Sequence, residues 1–361
     1  SSFASKIDYV KLQSDSTCYL GKIRFPYQNV QLHDSMLFIG DENKILAFNL
    51  KGTFLTKFGS QGRGPGEYQD IKNFTVLKQK KKLAIFSTKI RKVLFYDFQG
   101  KYLNEINIDF LPLGLVSSGE NLILSNPRGR RDKSEYKVLS VMSESGKLQH
   151  RIINRQNEKS LEKKGKIGIG GVRNQLYTLK DTIYYWESFY DTIWSISNSY
   201  KIVSKRPIFY GDDYLPFKYM FESNTKNIEL KELKKYVFIQ YFFETGRYMF
   251  FELANKGKLN HLIYDKSNGR CLNLNNKEAF GKSTNFSFFN DIDNGLPFWP
   301  DGVISENQVF KLIYGYDLKK HFDKMAKSGK GQIPINNSIH NLVTQTKIID
   351  NPIVMIVTLK K

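Results

Sequence analysis

Short runs of β-branched and aromatic residues recur along the chain, each followed by a turn residue and a second run of the same kind. Five such units begin at Lys44, Lys92, Lys137, Thr192 and His261. The first reads KILAFNLKGTFLTKFG and the second KVLFYDFQGKYLNEINI. Runs of this length around a Gly or Asn turn predict β-hairpins, so the chain is expected to contain at least five of them.

The spacing of the turn residues gives a repeat length. Gly52, Gly100 and Gly146 are separated by 48 and 46 residues. That period fits a four-stranded propeller blade and exceeds most helical repeats. The following intervals lengthen to 52 residues at Asn198 and 71 residues at Gly269, which predicts insertions in the later blades.

A second pair of short strands precedes the hairpins, for example FTVL and KLAIFS before the second one. The C-terminal region adds a sixth unit. We therefore predict an all-β fold, a six-bladed β-propeller with four-stranded antiparallel blades, as one domain over residues 1–361. The strands KIDYVKL (6–12) and NPIVMIVTLK (351–360) are expected to close the ring by sharing a blade or meeting at its seam, because an open ring leaves unpaired edges.

Two segments have helical rather than strand-like patterns. Ile228, Leu230 and Leu233 lie near helical spacing in NTKNIELKELKKYVFIQ, and YDLKKHFDKMAKSGK ends at a glycine. These patterns predict short helical insertions near residues 224–236 and 316–328 that decorate the propeller.

The net charge of +20 does not by itself predict a nucleic-acid-binding protein. It arises from 55 Lys and Arg against 35 Asp and Glu, but the cations are mostly scattered lysines. No recognition-helix, zinc-finger or RNP-type pattern accompanies them, so we predict no nucleic-acid partner. With 40% hydrophobic and 14% aromatic residues, the chain can bury a substantial core.

Local catalytic and metal motifs are missing from the sequence. Cys18 and Cys271 match no metal-binding spacing, and the five histidines form no cluster with carboxylates. No run approaches the length of a transmembrane helix. We therefore predict no cofactor and no metal, although propeller enzymes can assemble metal ligands from several blades without a local motif.

The segment FGSQGRGPGEYQD (58–70) contains four glycines and could be a phosphate cradle, a ligand loop or a tight corner. Its proline-glycine pair suits a type II turn. A phosphate loop would need a following helix with Lys and Ser or Thr, whereas a glutamate follows here. A corner between blades is the simpler interpretation, and ligand contacts by Arg63, Glu67 or Tyr68 are the alternative.

The segment NDIDNGLPFWPDG is the most chemically mixed part of the chain. Asp291 and Asp293 could cap turns, or they could join Trp299 in a ligand surface with an aromatic platform for a sugar or peptide.

Two further segments carry candidate residues. Arg128 and Arg130 in NPRGRRDK suit an anionic ligand, or they are solvated loop residues. Trp186 in YYWESFYDTIW is either core or part of an exposed shelf.

The stretches ILAFNLKGTFLTKFGSQGRGPGEYQDI, FYDFQGKYL, NDIDNGLPFWP and DNPIVMIVTLK resemble the uncharacterised six-bladed β-propeller proteins of Gram-negative gut anaerobes, related to NHL-repeat and TolB-like propellers. The resemblance implies an exported protein of the periplasm, or a lipoprotein anchored at the outer membrane through an N-terminal cysteine. The sequence, which starts SSFASKIDYV, shows no such cysteine and no signal segment. The family has no established activity.

These observations favour a noncatalytic binding propeller at the cell envelope, with a glycan, a peptide or an envelope protein as its partner. Two alternatives stay open: a metal-dependent hydrolase or lyase with its site at the central channel, and a structural scaffold of an envelope complex.

Overall fold

The computed structural model describes residues 3–125, 137–153, 174–187, 191–209, 211, 213, 235–255, 258–274, 287–327 and 337–361. Six four-stranded antiparallel sheets form blades arranged in a ring. The predicted six-bladed propeller is therefore confirmed. None of the described helices is long and apolar enough to cross a membrane.

The strands of the first half, in chain order, are β1 (Ala4–Lys11), β2 (Val30–His33), β3 (Met36–Gly40), β4 (Ile45–Asn49), β5 (Phe54–Phe58), β6 (Ser60–Gln61), β7 (Glu67–Tyr68), β8 (Asn73–Leu77), β9 (Lys82–Ser87), β10 (Lys92–Asp97), β11 (Tyr102–Asn107), β12 (Leu115–Ser118) and β13 (Asn121–Ser125). Those of the second half are β14 (Lys137–Met142), β15 (Leu148–Ile153), β16 (Asn174–Leu179), β17 (Thr182–Glu187), β18 (Thr192–Ile196), β19 (Ile202–Pro207), β20 (Val237–Glu244), β21 (Tyr248–Asn255), β22 (Lys258–Asp265), β23 (Arg270–Asn273), β24 (Gly302–Ser305), β25 (Gln308–Ile313) and β26 (Ile353–Leu359).

Blades one to five are β2–β5, β8–β11, β12–β15, β16–β19 and β20–β23, and the five predicted hairpins form their third and fourth strands. Blade six is β24, β25, β26 and β1. In it β1 pairs antiparallel with β26, with Val10 opposite Val354 and Ile7 opposite Val357. The two ends of the chain thus share one blade, as predicted.

The first strand of each blade faces the centre of the ring. Contacts run from β24 to β2, on to β8, β12 and β16, and from β20 back to β24. Because the blades are antiparallel, the turn between the first and second strands (inner turn) and the turn between the third and fourth strands (outer turn) lie at the same side of the ring. We call this side the hairpin face and the opposite side, where longer connections run, the loop face.

Hydrophobic side chains are buried between neighbouring blades. Leu46 and Phe48 of β4 pack towards blade six, whereas Ile45 and Ala47 pack towards blade two. Alternate residues of a strand point to opposite sides of its sheet, so a strand covered on both sides is apolar at every position. This explains the unbroken apolar runs in the sequence.

Three helices lie in the described residues: α1 (Pro26–Asn29), α2 (Gly315–Lys327) and α3 (Asn337–Gln345). The α2 helix confirms the predicted insertion near 316–328, and its Leu318 packs on the core between blades five and six. The α3 helix, not predicted from the sequence, places Leu342 against the same core. The other expected helix, near 224–236, lies outside the described residues except for positions 235 and 236.

A glutamine in an inner strand clips blade one to blade two. The Gln31 side-chain amide donates to the Phe74 carbonyl at 2.8 Å, and its oxygen accepts from the Val76 N–H at 3.1 Å. Gln175 makes the same pair of bonds to the backbone of Phe242 in blade five, at 2.7 and 3.1 Å. Each clip provides hydrogen-bond partners for backbone N–H and C=O groups at the open edge of a neighbouring inner strand.

We expect Gln31→Leu to lower the free energy of unfolding by about 1–3 kcal/mol, because it leaves two backbone groups inside the ring without their partner. Urea denaturation measures the change. Gln28→Leu is the matched control, since the Gln28 side chain also lines the channel but makes no hydrogen bond to a described residue. Equal losses in the two variants would contradict the clip.

Candidate functional site

A cavity of about 420 Å³ occupies the centre of the ring. All six inner strands contribute polar lining residues, namely Gln31, Thr75, Ser117, Gln175, Glu244 and Ser305. A volume of this size is typical of small-ligand sites in proteins. The channel is therefore the candidate functional site.

Many polar side chains of the channel wall already form hydrogen bonds within the protein. Besides the two glutamine clips, the Ser117 hydroxyl donates to the Val76 carbonyl at 2.7 Å. Asn73 differs: its side chain is only 4% exposed, and its Oδ1 has no hydrogen-bond partner among the described residues. A buried carbonyl oxygen without a partner costs about 1–3 kcal/mol, so it is a place where a ligand donor would be stabilising.

Tyr27 lies just before β2, at the loop-face end of the channel, and its ring is the centre of an aromatic cluster. We call this cluster the aromatic mouth: Phe25, Tyr27, Tyr241 and Phe243, of which Phe243 lies deeper in the channel, next to Glu244 on β20. The Tyr27 ring centroid lies 6.2 Å from that of Phe25, 5.8 Å from that of Tyr241 and 6.0 Å from that of Phe243. Tyr27 and Phe243 line the cavity itself. These separations are within the range of favourable aromatic pairs.

Phe25 owes its position to the start of α1. It precedes Pro26, which disfavours right-handed helical geometry for the residue before it, and it adopts φ 49° and ψ 64° as the helix N-cap. A bulky residue in this left-handed region costs about 1–2 kcal/mol. The strained backbone leaves the Phe25 ring 56% exposed, and such strain is commonly found at binding sites.

The opposite mouth, at the hairpin face, is built around the buried carboxylate of Glu244. Arg206 binds both carboxylate oxygens, with Nη1 and Nη2 each at 2.8 Å, and the Lys266 Nζ lies at 2.9 Å. The Tyr177 hydroxyl donates to the same group. Tyr177 and Arg206 belong to blade four, whereas Glu244 and Lys266 belong to blade five, so this network joins the two blades.

A second ion pair lies at the same mouth. The Lys180 Nζ, in the inner turn of blade four, is 2.6 Å from Glu306 in the inner turn of blade six. Both residues also line the cavity. The pair therefore spans part of the hairpin-face mouth, while the aromatic mouth lies at the other end.

The Glu244 network holds its groups in fixed protonation states. Burial alone would raise the pKa of the Glu244 carboxyl, but the hydrogen bonds and charge of Arg206 lower it below the ordinary value. Burial, together with the Glu244 charge, raises the pKa of Tyr177 well above its ordinary value. Glu244 is thus a carboxylate and Tyr177 a neutral phenol across the neutral pH range. Among the described residues, no group of three or more His, Cys, Asp or Glu side chains is arranged to hold a metal ion.

The glycine-rich loop of the sequence forms a corner between blades one and two, and it does not line the channel. The Glu67 carboxylate turns back into the loop, where it accepts from the Gly64 N–H at 2.8 Å and the Ser60 hydroxyl at 3.3 Å. Tyr68 is fully buried and donates to the Phe58 carbonyl at 3.2 Å. Arg63 is exposed to solvent.

Gly66 shows why this corner needs glycine. It has φ 72°, and a Cβ at this position would come within 2.6 Å of the Tyr102 ring. The Tyr96 hydroxyl donates to its carbonyl at 2.8 Å. Packing against blade two therefore accounts for Gly66, whereas at Gly62 and Gly64 a Cβ would meet the Glu67 side chain of the same loop.

The second group of sequence candidates lies at the seam between blades five and six. Asp293 accepts from Asn290 at 2.6 Å, from the Gly295 N–H at 2.9 Å and from the Tyr9 hydroxyl at 3.3 Å, so it caps a turn and ties it to β1. Asp291 is exposed.

Trp299 lies in the same seam but is only 8% exposed. Its ring stacks on His261, with centroids 4.0 Å apart and an interplanar angle of 2°. Its replacement would therefore open a cavity as well as remove an aromatic surface.

Of the remaining candidates, Trp186 is 1% exposed and packs edge-on against Phe242 between blades four and five. Arg128 and Arg130 lie outside the described residues. None of the described candidates lines the central channel. The structure instead places Tyr27, Asn73 and Phe243 in the channel lining, with the Phe25 and Tyr241 rings beside Tyr27. The sequence signal for the aromatic residues was their clustering before β2 in FPYQN and within β20 in QYFFE.

Two solved structures are similar to this chain over almost its whole length. A Bacteroides fragilis protein named for its inferred export has a TM-score of 0.73 and 20% identity, with 99% of this chain and 95% of that chain covered. A member of the DUF4221 family from Bacteroides vulgatus has a TM-score of 0.57 and 10% identity, with 99% and 97% covered. At these identities the likeness shows the fold alone. No curated protein matches the sequence.

The resemblance found in the sequence, to uncharacterised six-bladed propellers, is confirmed at the level of the family. The family model described as a domain of unknown function, DUF4934, matches residues 1–358. The chain therefore belongs to the DUF4934 family.

Proposed function

We propose that the protein is a noncatalytic binding propeller of the cell envelope that receives a sugar ring of a glycan at the aromatic mouth. The observation that carries the proposal is that Tyr27 and Phe243 line the same cavity as Asn73, whose Oδ1 has no hydrogen-bond partner within the described part of the chain. An aromatic surface beside a few polar groups is the usual composition of a small-molecule site.

The choice of a glycan over a peptide follows from the chemistry of the mouth. A sugar ring has an apolar C–H face that can lie on Tyr27 or Phe25, and it carries hydroxyl groups that can donate to Asn73. Asn174 lies at the start of β16 on the same cavity, where its amide donates to Ser125 at 3.2 Å. The buried carboxylate in the described lining, Glu244, is already paired with two cations. A neutral ligand therefore suits this lining better than a charged one.

An envelope location is part of the proposal. The structurally similar Bacteroides fragilis protein is named for its inferred export, and export would place this chain where extracellular glycans are found. We propose that the location is the periplasm or the periplasmic side of the outer membrane. Detection of the full-length protein in an envelope fraction, against a cytoplasmic marker, tests this part.

A glycan array tests the ligand class and the site together. We expect wild-type protein to bind a subset of the glycans, and Tyr27→Ala and Phe25→Ala to weaken that binding by about tenfold, which corresponds to the loss of one aromatic contact. Tyr316→Ala is the matched control, because Tyr316 on α2 is 55% exposed, against 56% for Phe25. The control is expected to bind like the wild type.

Two results would overturn the proposal. One is a wild-type protein that binds no glycan. The other is glycan binding that persists unchanged in both mouth variants, which would place the site elsewhere on the propeller. Urea denaturation midpoints of all variants establish that each is folded.

A further inference from the structure

Basic residues recur in the outer turns of blades one to five. Lys101, Lys147 and Lys201 occupy the same position, where the backbone carbonyl of each accepts from the N–H of the residue four positions earlier, at 3.0, 3.0 and 2.9 Å. Lys51 and Arg270 lie in the corresponding turns of blades one and five. We call these five residues the outer-turn cations.

The outer-turn cations are exposed, and none of them forms an ion pair with a described residue. Three cations of the inner turns, Lys80, Lys180 and Arg247, differ because each of them is paired with a carboxylate. Lys80 lies 3.2 Å from Glu120 and 3.3 Å from Glu144. Lys180 pairs with Glu306, and Arg247 with Asp265 at 2.7 Å.

The difference leaves the hairpin face with an uncompensated positive rim. Glu120, Glu144, Glu306 and Asp265 of this face are each paired with an inner-turn cation, so these four carboxylates do not neutralise the outer-turn cations. Because one outer turn lies on each of five blades, this positive charge is spread around the perimeter of the ring and not concentrated in a groove.

An apolar patch adjoins this rim at the seam between blades five and six. Leu272, two residues after Arg270, lines a cavity of about 150 Å³ together with Phe289 and Ile292. All three side chains are exposed, Phe289 to 72%. We call these three residues the seam patch. Large apolar side chains grouped at a surface mark an interaction site more often than single ones do.

We propose that the hairpin face docks onto an anionic lipid bilayer, with the outer-turn cations against the phosphate groups and the seam patch in the acyl-chain boundary. A bilayer surface offers negative charge over a wide plane and an apolar layer beneath it. A nucleic-acid backbone would satisfy the cations but offers no comparable partner for Phe289. This surface is separate from the aromatic mouth, which would then face away from the membrane.

Sedimentation with vesicles tests the proposal. The probes are phosphatidylcholine vesicles with and without phosphatidylglycerol, at low and at physiological salt. We expect wild-type protein to bind only the vesicles that contain phosphatidylglycerol, and more weakly at the higher salt, because each basic residue near the surface contributes a salt-screened attraction.

The decisive variant replaces all five outer-turn cations with glutamine: Lys51→Gln, Lys101→Gln, Lys147→Gln, Lys201→Gln and Arg270→Gln. We expect vesicle binding at low salt to fall by at least about 100-fold. The matched control makes the same change of charge on the loop face, by Lys22→Gln, Lys72→Gln, Lys89→Gln, Arg91→Gln and Lys347→Gln. These are also four exposed lysines and one exposed arginine, and this control is expected to change binding by less than about threefold. Phe289→Ser is expected to weaken binding by roughly tenfold through loss of apolar burial.

Three outcomes would overturn the docking surface: equal binding to vesicles with and without phosphatidylglycerol, equal losses in the two five-residue variants, or tighter binding to a short DNA duplex than to the vesicles. The first two would remove the role of the rim, and the third would identify nucleic acid as its partner. Circular dichroism and urea midpoints confirm that each variant is folded. The assay contains no glycan, so its result is independent of the aromatic mouth.

Discussion

Replacing Gly52 with alanine is expected to lower the free energy of unfolding by about 3 kcal/mol or more. Gly52 lies in the outer turn of blade one with φ 85°, and a Cβ there would come within 1.9 Å of the Lys11 carbonyl oxygen in blade six. Its own carbonyl accepts from the Gln13 N–H at 2.8 Å. The substitution therefore combines an unfavourable backbone conformation with overpacking at the seam that closes the ring.

The matched control for Gly52 is Gly119→Ala. Gly119 also has a positive φ, 56°, but a Cβ there would meet nothing within 4 Å. This control should lower the free energy of unfolding by only about 1 kcal/mol, which is the cost of the unfavourable backbone conformation alone. Urea denaturation of both variants measures the difference. Equal losses would show that the contact between Gly52 and blade six contributes nothing to closure.

Glu244→Gln is expected to lower the free energy of unfolding by about 3–4 kcal/mol, because it leaves Arg206 and Lys266 facing a neutral amide in a buried site. The Glu244 side chain is 2% exposed in its pair with Arg206. Glu42→Gln is the control: Glu42 pairs with Arg24 at 2.8 Å, but both side chains are more than half exposed. An exposed pair of this kind contributes less than about 1 kcal/mol. A loss for Glu244→Gln no larger than that of the control would contradict the buried network.

The pH dependence of the unfolding free energy of wild type and of Glu244→Gln is a second test of this network. The folded-state pKa of Glu244 is lower than its ordinary value, so the stability it adds is present above the ordinary carboxyl pKa of about 4.3 and is lost as pH falls through the folded pKa. The gap in stability between wild type and Glu244→Gln should therefore be widest near neutral pH and narrow below about pH 4. A gap that widens on acidification would show the opposite sign of coupling.

Most of the fold could be predicted because its signals are local. The hairpin turns at Gly52, Gly100 and Gly146 repeat at blade spacing, and all three adopt positive φ. The β26 strand within the segment 351–360 is apolar except at Thr358, because both of its sides are covered. The α3 helix was harder to predict, since its short run gains its stability from packing against blade six and not from helix propensity.

The channel could not be predicted in the same way, because its residues come from six strands spread over nearly the whole chain. Asn73 and Tyr27 are ordinary residues in their local sequences and become notable only when the ring brings them to one cavity. Glu67 illustrates the converse. In the sequence it resembled a ligand-contact residue, whereas in the structure its carboxylate accepts hydrogen bonds from its own loop.

Glycan binding by this propeller requires that the aromatic mouth hold a sugar ring above the channel. The most direct measurement is a crystal structure of the wild-type protein with the glycan that binds best on the array. We expect a sugar ring in van der Waals contact with the Tyr27 or Phe25 ring and a hydroxyl within hydrogen-bond distance of Asn73 Oδ1. A glycan bound at the corner around Arg63, or anywhere else away from the mouth, would contradict the claim.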